Sequence, residues 1–203
     1  MVYDRTCVAK VAPVGLSTAW AAGSVLYRGL NRIDAAFGAT SWDDALTWLG
    51  SYEPSRPIAE IQYWGHGRWG RVYVDQDVLD GSALGPRHRL APRIAALRER
   101  LVPGGEALIW LRTCEAFGAS AGHDFAVRLA DGLGTRVAGH TFIIGALQSG
   151  LRGLLPGHTP NWPVEEGIRE GTAEKPVRAH GSGITRPRTI TCFEGAVPPS
   201  WFA

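Results

Sequence analysis

Two apolar runs, each ending at a reactive side chain, constrain this chain more than anything else in it. Residues 58–64 read IAEIQYW and lead into Gly65-His66-Gly67, while residues 107–114 read ALIWLRTC and stop on Cys114. Apolar runs of this length, bounded by turn residues, are characteristic of strands buried on both faces. Between them lies RVYVDQD (71–77), whose alternation predicts a strand or one arm of a hairpin. HRLAPRIAALRERL (88–101) predicts a helix that Pro92 lets start only after Ala91. After Cys114 the pattern predicts a helix over about 121–133, then a strand in TRVAGHTFIIG. Strand, hairpin, helix, strand, helix, strand implies an α/β domain with a mostly parallel sheet covered on both faces.

Upstream, CVAKVAP (7–13) is a candidate first strand. LSTAWAAGSVLYRGLNRIDAAF (16–37) has helical periodicity, with Ser17 or Thr18 available as a cap. A second helix, WDDALTWLG, has Thr40 or Ser41 to cap it, Asp43 and Asp44 in its first turn and Gly50 to stop it. Downstream, residues 151–203 are rich in Gly and Pro and predict loops with one late strand near RTITCFEG. With 203 residues the chain suits one domain, and we expect residues 1–203 to form a single unit.

Composition excludes several functions. The net charge of +2 is spread thinly, without the basic block of a nucleic-acid footprint. No apolar run approaches the ~20 residues that span a bilayer. Asp4, Arg5 and Lys10 interrupt the stretch a signal peptide would need. Cys7, Cys114 and Cys192 are too few and odd in number for a disulfide framework, so we expect reduced thiols and a cytoplasmic location. Cys7 and Cys192 are expected to be small buried hydrophobes. The six histidines lack zinc-site spacing, and Asp75, Asp77 and Asp80 do not fit a calcium loop, so no metal or other cofactor is expected.

GHGRWG (65–70) matches the dinucleotide fingerprint G-x-G-x-x-G, but a strand pattern follows it where that fingerprint needs a helix. A local role for the glycines remains: they flank His66 at the carboxyl end of a strand, the edge where open α/β sheets place their sites. Cys114 follows forty-eight residues later at the end of its own strand. If these strands are neighbours, imidazole and thiol share one sheet edge. There His66 can take the thiol proton and later protonate a leaving amine, and the Gly67 and Cys114 N–H groups can serve as an oxyanion hole.

Apolar block, His-Gly, spacer, apolar block, Cys resembles the caspase-like cysteine peptidases, the group of caspases, legumain, gingipain, clostripain and separase. The continuation CEAFGASAGHDFAVRLADGLGTRVAG looks most like the bacterial caspase-like domain of large secreted adhesin-like proteins. The resemblance covers about residues 56–165 and takes in PNWP around Trp162. It implies a three-layer α/β/α caspase-like fold with a small hairpin after the His strand. It also implies a cysteine endopeptidase acting on a peptide or protein substrate, with Cys114 as nucleophile and His66 as general acid/base. The chain departs from the caspase Q-A-C-x-G motif, reading Arg112-Thr113-Cys114-Glu115-Ala116. Arg112 stands where several of these families line the P1 pocket and would favour an acidic P1 residue, or it pairs with Glu115 or Asp75. Glu115, Trp69 and Trp162 are further candidates for substrate contact. Two alternatives compete with this reading: a catalytically silent module of the same fold, and a serine hydrolase using Ser120 of GASAG (118–122). For Ser120 a helix N-cap is the simpler role.

Overall fold

The computed structural model describes residues 1–8 and 15–202. Its first half contains β1 (Val2–Asp4), α1 (Leu16–Gly29), β2 (Phe37–Ala39), α2 (Trp42–Ser51) and β3 (Glu60–Trp64). Three short strands follow: β4 (His66–Gly67), β5 (Arg71–Val74) and β6 (Asp77–Asp80). The second half contains α3 (Ala91–Arg100), β7 (Leu108–Arg112), α4 (Ala119–Leu133), β8 (Arg136–His140), β9 (Leu147–Gln148) and β10 (Leu151–Leu154). β11 (Ile168–Gly171), β12 (Pro176–Ala179) and β13 (Ile190–Thr191) complete it.

The fold is mixed α/β, with four α-helices among the described residues and a six-stranded central sheet ordered β10-β8-β7-β3-β1-β2. Every neighbouring pair is parallel except β10 with β8. β4, β5 and β6 form a separate antiparallel sheet, as the alternation of RVYVDQD predicts. The glycines of GHGRWG therefore open a hairpin, and the dinucleotide match is accidental.

Side-chain alternation along β3 and β7 divides the core in two. Ile61, Tyr63, Ile109 and Leu111 pack on Leu46 and Leu49 of α2, Ile94 and Leu97 of α3, and Phe125 and Leu129 of α4. Each aliphatic side chain buried there stabilises the fold by roughly 1.5–3 kcal/mol. On the opposite face Trp64 meets Tyr27 of α1, and Trp110 packs with Leu151, Ile190 and Val197.

Several expectations change. The first strand is Val2–Asp4; Cys7 and Val8 are not strand, and the remainder of CVAKVAP lies outside the described residues. α1 ends at Gly29 because the chain turns over at Asn31 (φ 55°), which frees Phe37–Ala39 to pair with β1. Gly15 is its N-cap, and Ser17 Oγ donates instead to Cys7 O at 2.6 Å. Ser41 does cap α2, accepting from Asp44 N, while Gly50 lies inside the helix. The tail carries more strand than its glycines and prolines imply: β10 pairs with β8, and β11 with β12.

Candidate active site

β3 and β7 are direct neighbours in register, with Trp64 opposite Arg112, so the loops that follow them leave the same sheet edge. These loops are then stitched together. Trp69 N donates to Glu115 O and Gly70 N to Ala116 O, each at 3.0 Å. Gly67 comes so near the second loop that a Cβ on it would stand 2.5 Å from Thr113 Oγ1 and 2.6 Å from Cys114 O. Real Cβ atoms do not approach that closely, so glycine is a steric requirement here. A Cβ on Gly65 would instead meet the hydroxyl end of the Tyr63 side chain, which would have to shift.

The nucleophile candidate lies just past its strand. β7 ends at Arg112, and Thr113-Cys114-Glu115 forms a bend, so strand alternation does not carry from residue 112 to 114. Cys114 is half-buried, and its Sγ accepts from Ile144 N at 3.4 Å. Burial pushes the thiol up from its ordinary value; the Ile144 N–H opposes this and the Glu115 carboxylate adds to it. Among the described residues the Cys114 N–H has no backbone acceptor. Glu115 (φ 53°) and Trp69 (φ 35°) both hold left-handed backbone, which costs a side-chain-bearing residue about 1–2 kcal/mol. Strain of this kind collects at functional loops.

His66 is exposed, and its ring meets the edge of Trp20 at 5.8 Å between centroids. Its Nε2 lies 3.2 Å from Sγ of Cys7, not of Cys114. No hydrogen bond joins His66 to Cys114 among the described residues. Cys7 is therefore not the buried hydrophobe its sequence context implies. It is partly exposed, and its carbonyl accepts from Ser17 N at 3.1 Å and from Ser17 Oγ.

Arg112 is only 2% exposed, and its guanidinium is enclosed by protein. It lies over Trp110 (4.2 Å to the ring centre) and Trp64 (4.5 Å). Its donors reach Gln148 Oε1 at 2.9 Å, Cys192 O at 3.0 Å and Glu194 O at 2.9 Å. Tyr27 Oη accepts from it at 3.2 Å. Burial draws its pKa down, with Tyr27 the foremost opposing group. Neither Glu115 nor Asp75 pairs with it, contrary to that part of the sequence reading. Gln148 of β9 and the carbonyls just past its partner strand β13 supply the nearest acceptors, which sequence spacing could not reveal.

The other candidates divide. Trp69, with Arg68 over its ring at 4.6 Å, lines an open cleft of about 550 Å³ beside the His66 loop, together with Arg71, Asp80 and Asp124. Trp162 does not line that cleft. It is 4% exposed, stacks on Phe117 and donates from Nε1 to Phe117 O at 3.2 Å. Glu115 is 8% exposed, with Oε2 sealed and unpartnered among the described residues. Burial raises its carboxyl, and Arg68 offsets part of the rise.

Ser120 is in the first turn of α4, whose N-cap is Gly118, so it does not cap the helix. β7 stops at Arg112, well short of Gly118, which removes the strand that a nucleophile elbow needs. Asp77 accepts from Trp42 N at 2.8 Å and pairs with Arg89, while Asp80 accepts from Ser82 N. Among the described residues no three His, Cys, Asp or Glu side chains converge as a metal site would need, and no helix is long and apolar enough to cross a membrane. A second cavity, about 200 Å³ and lined by Trp48, Tyr52, Glu60 and Arg100, sits at the amino end of the strands and contains no Cys or His. Comparison with protein-family models, curated proteins and solved structures returned no match for the chain.

Proposed function

We propose that the chain is a cysteine endopeptidase of three-layer, caspase-like α/β/α architecture, with Cys114 as nucleophile and His66 as general acid/base. The observation that carries this reading is the joining of the two loops. Gly67 presses on the Cys114 backbone where β3 and β7 end side by side, which brings the His66 and Cys114 loops to a single sheet edge. The exposed His66 ring turns from Cys7 toward Cys114 and takes the thiol proton as the sulfur attacks the scissile carbonyl. The Gly67 and Cys114 N–H groups receive the oxyanion, the latter having no competing backbone acceptor. The imidazolium then protonates the leaving amine, and water activated by His66 hydrolyses the thioester.

Substrate would lie along the Trp69 cleft, whose walls include neither Glu115 nor the dyad itself, with Trp162 supporting the Phe117 loop from behind. An acidic P1 side chain reaches Arg112 once the carbonyls of residues 191–194 lift away from it. Three free thiols fit a reducing compartment such as the cytoplasm.

A peptide-library screen of wild type, Cys114→Ala and His66→Ala tests the proposal. Cleavage is expected in wild type alone, and equal cleavage by Cys114→Ala would overturn it. A second reading, a silent module of the same fold, draws on two observations: His66 Nε2 lies against Cys7 Sγ, and burial pushes the Cys114 thiol up from its ordinary value. Failure of a folded sample to take an acyl-ketone probe at Cys114 would select it.

A further inference from the structure

The contact between Cys7 and His66 is not used by the peptidase chemistry, and it joins two residues 59 positions apart. Three features hold it. Cys7 O is fixed on Ser17 at the start of α1, the edge of Trp20 from that helix backs the ring, and the β4–β5 pairing holds the His66 backbone. Both partners reach solvent, since His66 is exposed and Cys7 partly so. Cys114 has its own sulfur contact at Ile144 N, and among the described residues the one cysteine–imidazole contact is that of Cys7.

We propose that Cys7 is a modification site for hydroperoxides, and that His66 makes it the most readily oxidised thiol of the chain. A thiol needs to lose its proton to act as a nucleophile, and an imidazole nitrogen at hydrogen-bond distance can receive it. The step balances. The Cys7 proton passes to His66 Nε2, the sulfur attacks one peroxide oxygen, the O–O bond breaks and an S–O bond forms. The departing hydroxide takes the proton back from Nε2 and leaves as water. Sulfur is oxidised by two electrons to the sulfenic acid and hydrogen peroxide is reduced. An exposed thiol–imidazole pair is the setting in which sulfenic acid forms selectively. The site shares His66 with the proposed dyad, but its readout is labelling at Cys7, which does not depend on turnover at Cys114.

The experiment treats the whole chain with hydrogen peroxide at a one-to-one ratio, traps sulfenic acid with dimedone and reads each cysteine by peptide mass spectrometry. Wild type is expected to carry the adduct on Cys7, ahead of Cys114 and Cys192 by about tenfold or more. His66→Gln is expected to lose at least about tenfold of the Cys7 adduct, since a positioned general base contributes roughly 10²–10⁴-fold. Cys114→Ser is expected to leave Cys7 labelling unchanged. Equal labelling of the three cysteines in the folded protein overturns the proposal, as does undiminished Cys7 labelling in His66→Gln. Circular dichroism of each variant, with a urea-unfolded control in which all three cysteines label alike, separates loss of the pair from loss of the fold.

Discussion

Gly67 and Cys114 fit together so closely that the glycine has no room for a methyl group: a Cβ would stand 2.6 Å from the Cys114 carbonyl oxygen. The neighbour is backbone in the bend just past β7, so it cannot swing aside as a long side chain would. Gly67→Ala should cost about 1–3 kcal/mol, the usual range for overpacking, in urea denaturation followed by tryptophan fluorescence. Gly50→Ala is the matched control. It lies in α2 with open space around its Cβ direction, and should stabilise by roughly 0.5–1 kcal/mol. Equal effects at the two positions would mean that the loops do not touch as described.

Arg112 cannot be replaced by lysine. A single ammonium cannot reach Gln148, Cys192 and Glu194 together, nor lie flat between Trp64 and Trp110. Each hydrogen bond from a charged donor contributes about 1.5–3 kcal/mol. Arg112→Lys should therefore destabilise by about 2–4 kcal/mol and speed limited proteolysis between residues 188 and 197, where the released carbonyls lie. Unchanged proteolysis there would rule out the cage.

Cys114 should alkylate slowly. Its folded pKa is raised by burial, so at pH 8 iodoacetamide should modify it more slowly in the native protein than in urea, with the gap closing as pH rises. The linked stability follows the same direction. The neutral thiol is favoured by the fold, so its contribution is complete below the ordinary thiol pKa and is lost as pH climbs through the folded value. Cys114→Ala should accordingly show a shallower alkaline loss of stability than wild type.

His140 gives the acid-side counterpart. It is fully buried, Nδ1 lies 3.1 Å from Ser149 O, and burial lowers its pKa from 6.5 to about 3. The unfolded chain binds that proton first, so stability falls as pH drops from about 6.5 toward 3, by up to about 1.4 kcal/mol per pH unit. Urea midpoints across that window should fall more steeply for wild type than for His140→Phe as the pH is lowered. Parallel curves would show that His140 is not the group responsible.

The two parallel strands were legible in the sequence because burial on both faces writes an uninterrupted apolar run, and IAEIQYW and ALIWLRTC have no other use for one. The hairpin and the helices α2, α3 and α4 were legible from periodicity and from Ser41 and Pro92. Val2–Asp4 and Phe37–Ala39 were not, since three residues show no period, and their pairing comes from the sheet rather than from propensity. At the site, the edge shared by His66 and Cys114 could be read from strand order. The Cys7 contact could not, because it depends on where α1 carries the chain after β1. Arg112 and Trp162 went to the interior for a common reason: each found carbonyl acceptors, at 191–194 and at Phe117, supplied by segments distant in sequence.

The arginine cage also sets an order for synthesis. Glu194 lies 82 residues after Arg112, so at about 5–20 residues per second the guanidinium waits roughly 4–16 seconds on the ribosome for its last acceptor. Throughout that interval Trp64, Trp110 and Tyr27 can stack around a cation that has not yet met its carbonyls. A nascent chain paused in that window leaves this face of the sheet open, and the face closes only when the residues just past β13 emerge.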